Sequence, residues 1–368
     1  MKGDNVMEAT NKENLRRVVM RTGINGFTIV ELLVVISIIS LLMSILLPSL
    51  NRARQSAYAV KCASNERNAG IAMSVYVADE EYYPASYLYC STRGKPSWSM
   101  YKQNANQYQG NGYIHWSYYL FSCGQCDESA FECPAIRHYG APRTNPGGDE
   151  DDWEEGQVDM DGRSGRNPSL EDFQAPRMAY TGNGAIIVRN KFKESYSGNY
   201  SRFNRFVKAV RVRRPSEVIL TTEFNKNWKV IAVGGSTQES NFLVKSHRPI
   251  TPFHALDTGS DVYSGDKWLG FRYGAPGLTY GIVAEDFVDK NEIARVPLNA
   301  VGRHHPGSYR GNINLGDAGM NKKDMGGTAN FMYCDGHVER KHVLETVENA
   351  EWGRTFYGIT GKNNVIRD

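Results

Sequence analysis

The chain has 368 residues, 40% of them hydrophobic and 23% charged, which is enough to bury one large core or two small ones and excludes global disorder. A formal net charge of only +3 removes the simplest electrostatic case for a nucleic-acid binder, so no nucleic acid is expected as a partner. With 21 tyrosines and 36 glycines the composition leans toward extracellular, β-rich and loop-rich domains.

The first 26 residues carry Lys2, Lys12, Arg16, Arg17 and Arg21 against Asp4, Glu8 and Glu13, a basic flank that should stay cytoplasmic. Residues 26–50 follow as an apolar run interrupted by Thr28, Glu31 and serines, long enough at about 1.5 Å per residue to cross a hydrocarbon core of roughly 30 Å. The stretch after it continues in a helical pattern without a small-residue cleavage site, so the apolar segment is expected to be retained as an anchor. Glu31 near the start of such a helix is costly and calls for a partner, unless it snorkels to the interface. Pro48 lacks an N–H and should kink or locally open the helix.

Gly26-Phe27-Thr28-Ile29-Val30-Glu31 resembles the processing motif of type IV pilins and type II secretion pseudopilins. The resemblance implies cleavage after Gly26 by a prepilin peptidase, N-methylation of Phe27, and an assembly role for Glu31, neutralised by the positive N-terminus of a neighbouring subunit. Pro48 falls where pilins commonly bend their helix. The implied partners are the inner membrane, the prepilin peptidase and other pilin-like subunits, with the N-terminus cytoplasmic and the head periplasmic or extracellular. The implied organisation is a leader (1–26), a transmembrane helix (27–50), a stem helix (51–83) and a head (84–368). No enzymatic activity is expected.

Along the stem, Ala53, Ala57, Val60, Ala63, Ile71, Val75 and Ala78 keep helical spacing, and Pro84 marks a stop. The short β candidates are 185–189, 218–222, 229–233 and 281–284, and residues 208–213 alternate as a half-exposed strand would. Asn330 to Tyr333 running into Asp335-Gly336 and then Val338 reads as a hairpin. The fold class is therefore α+β, a long N-terminal helix packed on an antiparallel sheet. Residues 145–169, with Asp149, Glu150, Asp151, Asp152, Glu154 and Glu155, read as an exposed acidic insertion.

A looser, second resemblance rests on His115-Trp116-Ser117, Cys133-Pro134, the run from Arg214 to Leu220, and Asp335-Gly336. It is to large-headed pilin-like proteins with a C-terminal prepilin-type processing-associated domain, in which a histidine precedes an Asp-Gly. Here that histidine, His304 or His305, is separated from Asp335 by an inserted Gly- and Asn-rich loop, which must fold back if the two are to meet.

Six cysteines permit disulfides in an extracytoplasmic head. Cys62 and Cys133 are a plausible pair stapling helix to sheet; Cys123 and Cys126 are further candidates, or with Cys133 and His138 could hold zinc. Calcium is a further candidate cofactor, through Asp149, Asp151, Asp152, Asp159 and Asp161, against the alternative of a solvated loop. His304, His305, Asp335, Gly336 and His337 form the C-terminal motif, read as structural use, a metal site or catalysis. The basic and aromatic stretch 189–214 could follow a DNA strand or an acidic polysaccharide, against the ordinary strand read above. The alternative function is a membrane-tethered binding module for glycan, DNA or a cell surface that uses the pilin leader for export.

Overall fold

The computed structural model describes residues 28–90, 98, 108–163, 170–189, 205–234, 241–255, 271–273, 297–311, 326–358 and 365–366. By internal contacts the chain separates into two units, Met1–Asn51 and Arg52–Asp368.

Helix α1 spans Ile29–Glu80 and begins with a reciprocal cap. Thr28 Oγ1 accepts from the Glu31 amide at 3.2 Å while a Glu31 carboxylate oxygen accepts from the Thr28 amide at 2.9 Å, so Thr28-Ile29-Val30-Glu31 is a capping box. From Ile29 to Leu50 every described side chain is exposed, as a segment that meets lipid requires. Three of the four serines that interrupt it return their hydroxyls to the helix: Ser37 to the Leu33 carbonyl, Ser44 to Leu41 and Ser49 to Leu46, at 2.7–2.8 Å. None of these three hydroxyls is left unpaired in an apolar medium. The helix runs unbroken through Pro48, so the expected opening does not interrupt it. It stops at Glu81, whose left-handed φ of 63° closes the last turn through its amide to the Val77 carbonyl.

In the second unit the same helix buries Ala59, Cys62, Glu66, Ala69 and Met73, a stripe at three- and four-residue spacing. This differs from the face the large apolar residues suggest, since Val60, Ile71 and Val75 are exposed. Small residues win because they let the helix approach its sheet closely. A Cβ on Gly70 would lie 2.0 Å from Met332 Sδ.

The strands and helices that follow are β1 (Tyr87–Cys90), β2 (Tyr108–His115), α2 (Trp116–Ser122), β3 (Ala141–Pro142), β4 (Arg177–Met178), β5 (Tyr180–Gly182) and β6 (Ile219–Glu223). After them come β7 (Ala232–Gly234), β8 (Phe242–Val244), β9 (Phe253–Ala255), β10 (Phe271–Tyr273), β11 (Ala329–Tyr333), β12 (Val338–Lys341), α3 (Val343–Glu348) and β13 (Val365–Ile366). The main sheet has the order β12-β11-β6-β5, all antiparallel. Smaller sheets pair β1 with β2, β3 with β4, β7 with β8, and β10 with both β9 and β13. Its core gathers Ala69, Ala72 and Met73 of α1 with Ile219, Phe331, Met332 and Trp352. Each large apolar side chain buried there contributes about 1.5–3 kcal/mol. The α+β expectation holds.

The hairpin is as expected: β11 and β12 meet with Met332 opposite Val338 across Asp335-Gly336, where Gly336 takes φ 89°. The 218–222 candidate is β6. Of 229–233 only the end is a strand, because Trp228–Ile231 winds into a 3₁₀ turn first. Residues 185–189 are a buried turn: Asn183 Oδ1 accepts from the Ala185 amide at 2.9 Å and draws the chain round. Residues 208–213 make a single bridge at Lys208 and then the 3₁₀ turn Ala209–Arg211, leaving Val210 88% exposed. The candidate at 281–284 lies outside the described residues.

Candidate functional site

At the N-terminus, Gly26 and Phe27 lie outside the described residues. Glu31 is engaged locally, since it also accepts from Thr28 Oγ1 at 2.8 Å.

The C-terminal histidine and aspartate motif divides into two places. Asp335, Gly336 and His337 form the tip of the β11-β12 hairpin. There His337 Nδ1 meets Asp335 Oδ1 at 2.5 Å and the imidazole stacks on Tyr333, centroids 4.2 Å apart. His304 and His305 are buried elsewhere, against Glu223 at the end of β6. Residues 312–325 of the Gly-rich insertion lie outside the described residues; its described end pairs with the histidine segment, where the amide of Gly327 donates to the Arg303 carbonyl, and His305 and Thr328 exchange backbone bonds at 3.0 and 2.9 Å. A Cβ on Gly327 would lie 2.0 Å from the His305 carbonyl oxygen, so only glycine fits.

Glu223 is the centre of this buried cluster. Its Oε1 lies 2.8 Å from His305 Nε2 and accepts from Asn330 Nδ2 at 3.0 Å, and Oε2 accepts from the Asn330 amide at 2.8 Å. His304 Nε2 is 3.8 Å away. Burial raises the carboxyl, but the His305 bond, the two imidazoles and Asn330 outweigh it and hold Glu223 below the usual carboxylate range. Nearby Glu66, fully buried on α1, accepts from Thr221 Oγ1 at 2.8 Å. Burial, reinforced by the Glu223 charge, pushes Glu66 well up, so it is the protonated member of the two acids. Burial brings His304 down to about 4, despite the attraction of Glu223.

Cys62 and Cys133 close a disulfide beside this cluster, with Cα atoms 5.0 Å apart, as the sequence pairing proposed. Cys133 Sγ is 3.8 Å from Glu223 Oε1 and 3.7 Å from His304 Nε2. Tyr180 donates to the carbonyls of Cys62 and Glu132, fixing both ends of the staple. Glu223, Glu66 and Asn330 were not legible as site residues. The nearest signal is that Glu66 stands four residues after Cys62 on one helix face.

The alternative three-cysteine zinc arrangement is not assembled. Cys133 is in the disulfide, Cys123 and Cys126 have free thiols, and His138 Nδ1 binds Glu154 at 2.8 Å, which Arg177 also holds at 3.0 Å. The acidic stretch is only partly exposed, since Asn145, Glu154, Gln157 and Asp159 are buried. Its carboxylates serve local turns: Asp149 accepts from the Asp151 amide, and Asp159 Oδ1 from the amides of Asp161 and Arg163. Among the described residues, no three of Asp149, Asp151, Asp152, Asp159 and Asp161 gather around a common point as calcium would need.

His115 is structural. It caps α2 by accepting from the Ser117 amide at 3.3 Å, and burial depresses it to about 3. A histidine depressed from 6.5 contributes stability that is complete above about pH 6.5 and is lost as pH falls toward 3. Between pH 7 and pH 5 this amounts to about 2 kcal/mol. Buried Asp172, raised to about 7 by burial against its amide hydrogen bonds, acts in the opposite sense, losing stability as pH rises from about 4 to 7. His115→Gln should therefore shrink the acid-side loss, read as the change in melting temperature between pH 7 and pH 5 in variant and wild type.

A surface cleft of about 640 Å³ lies beside β12, lined by Arg211, Arg213, Arg214, Arg354, Tyr333 and Tyr357 among others. Two of its carboxylates are engaged by Lys341, at 2.7 Å (Glu339) and 2.9 Å (Glu351), and Glu217 by Arg214 at 3.2 Å. Part of the basic stretch 189–214 thus faces the cleft; residues 190–204 lie outside the described residues.

Residues 21–47 match the family described as the prokaryotic N-terminal methylation motif. No curated protein and no solved structure matches the chain. The matched motif supports a type IV pilin-like leader, and helix α1, which is long and apolar enough to cross a membrane, suggests a single membrane anchor.

Proposed function

We propose that the chain is a structural subunit of a type II secretion or type IV pilus-like assembly. In this reading the prepilin peptidase cuts after Gly26 on the cytoplasmic side, Phe27 becomes the methylated N-terminus, and the helix anchors a periplasmic or extracellular head in the inner membrane. One observation carries it: the matched motif, residues 21–47, runs into the apolar half of α1, where every described side chain is exposed. The disulfide fits an oxidising compartment for the head. The hairpin at Asp335-Gly336 and the buried His305 support the resemblance to the processing-associated head domain, and the reading assigns the chain no catalytic step.

Glu31 carries assembly in this account, leaving its local cap to meet a neighbour's N-terminal charge. Glu31→Ala should be cleaved much as the wild type is but recovered as unassembled subunits, measured by cross-linking in membranes. Efficient assembly of the variant would remove that role from Glu31.

The cleft favours a second reading, a membrane-tethered binding module that uses the pilin leader for export. Arginines beside two tyrosines suit an acidic glycan. Binding of a sulfated polysaccharide, lost in Arg213→Ala with Arg354→Ala, by a chain that never cross-links into assemblies would support it over the first.

A further inference from the structure

We propose that Cys62, Cys133, Glu223 and His305 form a redox-dependent zinc site: the disulfide closes it in the oxidised chain, and the reduced chain takes one zinc ion.

The four residues each place one ligand atom within 4.8 Å of the other three, and all four are buried. A tetrahedral site with Zn–S near 2.3 Å and Zn–N or Zn–O near 2.0–2.1 Å has ligand-to-ligand edges of about 3.3–3.8 Å, so small side-chain adjustments suffice. The ligands come from four separate segments: α1, the loop after the 3₁₀ turn Glu128–Phe131, the end of β6, and the segment at His305 that bridges to Thr328. Two thiolates, one carboxylate and one imidazole are an ordinary donor set for this ion.

A disulfide alone does not require this surrounding. It is apolar, yet a carboxyl group and two imidazoles with side chains at most 2% exposed are packed against it. Asn330 binds both oxygens of Glu223 independently of His305, the kind of outer support that holds a carboxylate in place when its imidazole partner turns away. The pocket also has polar capacity it does not use, because Glu66 Oε2 and His304 Nδ1 are buried without hydrogen-bond partners.

The chemistry balances with a phosphine as the reductant. One phosphine and one water convert the disulfide into two thiols and a phosphine oxide. Zinc then forms two Zn–S bonds and displaces both thiol protons to solvent, while His305 Nε2 and a Glu223 oxygen turn from each other to the metal. An external disulfide reverses the step: it accepts two electrons from the thiolates, takes up two protons to leave as two thiols, and frees the zinc. Either lock joins α1 to the loop at Cys133.

The test uses the full chain in detergent micelles, reduced by a phosphine without oxygen and titrated with cobalt(II) as the probe for zinc. One equivalent should give tetrahedral ligand-field bands and thiolate-to-cobalt charge transfer, bleached by zinc, with affinity at least 100-fold weaker in the oxidised chain. Cys123→Ser with Cys126→Ser should leave the signal intact, and Cys62→Ser should abolish it. Where reduction alone unfolds the head, one equivalent of zinc should restore its circular dichroism. Absence of charge transfer in a folded reduced chain, failure of zinc to refold an unfolded one, or a signal that survives Cys62→Ser with Cys133→Ser would overturn the proposal.

Discussion

Replacing Cys62 and Cys133 together by alanine is expected to destabilise the oxidised head by about 4 kcal/mol, the loop-closure entropy that a cross-link removes from the unfolded chain at this span. The bond joins residues 71 apart, from the buried stripe of α1 to the segment entering β3. Its loss also leaves Glu223, His304 and His305 beside a gap where sulfur atoms had filled the space. The two effects have the same sign. Denaturant unfolding, followed by tyrosine and tryptophan fluorescence, should show a lower midpoint. A shift equivalent to less than about 1 kcal/mol would mean that the buried ionic cluster and the main sheet hold the helix without the staple.

Gly26→Ala is expected to abolish processing. The resemblance places the scissile bond between Gly26 and Phe27, and a side chain at Gly26 obstructs the close backbone approach that a peptidase needs there. The full precursor should then accumulate in the membrane fraction, distinguishable by mass from a wild-type chain that has lost 26 residues. The contrast with Glu31→Ala is informative, because the two variants separate cutting from assembly. Normal maturation of Gly26→Ala would place the cut elsewhere and detach the motif from its proposed use.

Much of this organisation was legible in the chain because it is written locally. The apolar run, the basic leader and the hairpin at Asp335-Gly336 each depend on neighbours within a few residues. The capping box of Thr28 and Glu31 was equally local, but the membrane context drew attention to the charge of Glu31 rather than to its spacing from Thr28. Which face of α1 packs was not legible, for a different reason. Val60, Ile71 and Val75 carry the hydrophobic signal, whereas Ala69, Gly70 and Ala72 supply the close approach, and small residues look unremarkable in a sequence.

The buried cluster was legible only in part. Cys62 and Cys133 were offered as a pair that could staple helix to sheet, and they lie bonded beside the cluster. Glu223 sits in β6 after Thr221 and Thr222, where a lone carboxylate at a strand end reads as a solvated group; only the fold brings it to His305, 82 residues away. His337 illustrates the converse, since proximity to Asp335 in sequence produced a contact that is exposed and separate from the other histidines. Long-range partners set the chemistry of both places, and pattern reading within a window does not reach them.

The central claim is that residues 1–26 are a leader removed by the prepilin peptidase and that the apolar helix stays on the mature chain. The most direct measurement is intact-mass and N-terminal peptide spectrometry of membrane-associated protein made together with its own prepilin peptidase. The account predicts a chain beginning at N-methylated Phe27. A chain still beginning at Met1 in the presence of active peptidase, or one beginning beyond Leu50, would contradict it.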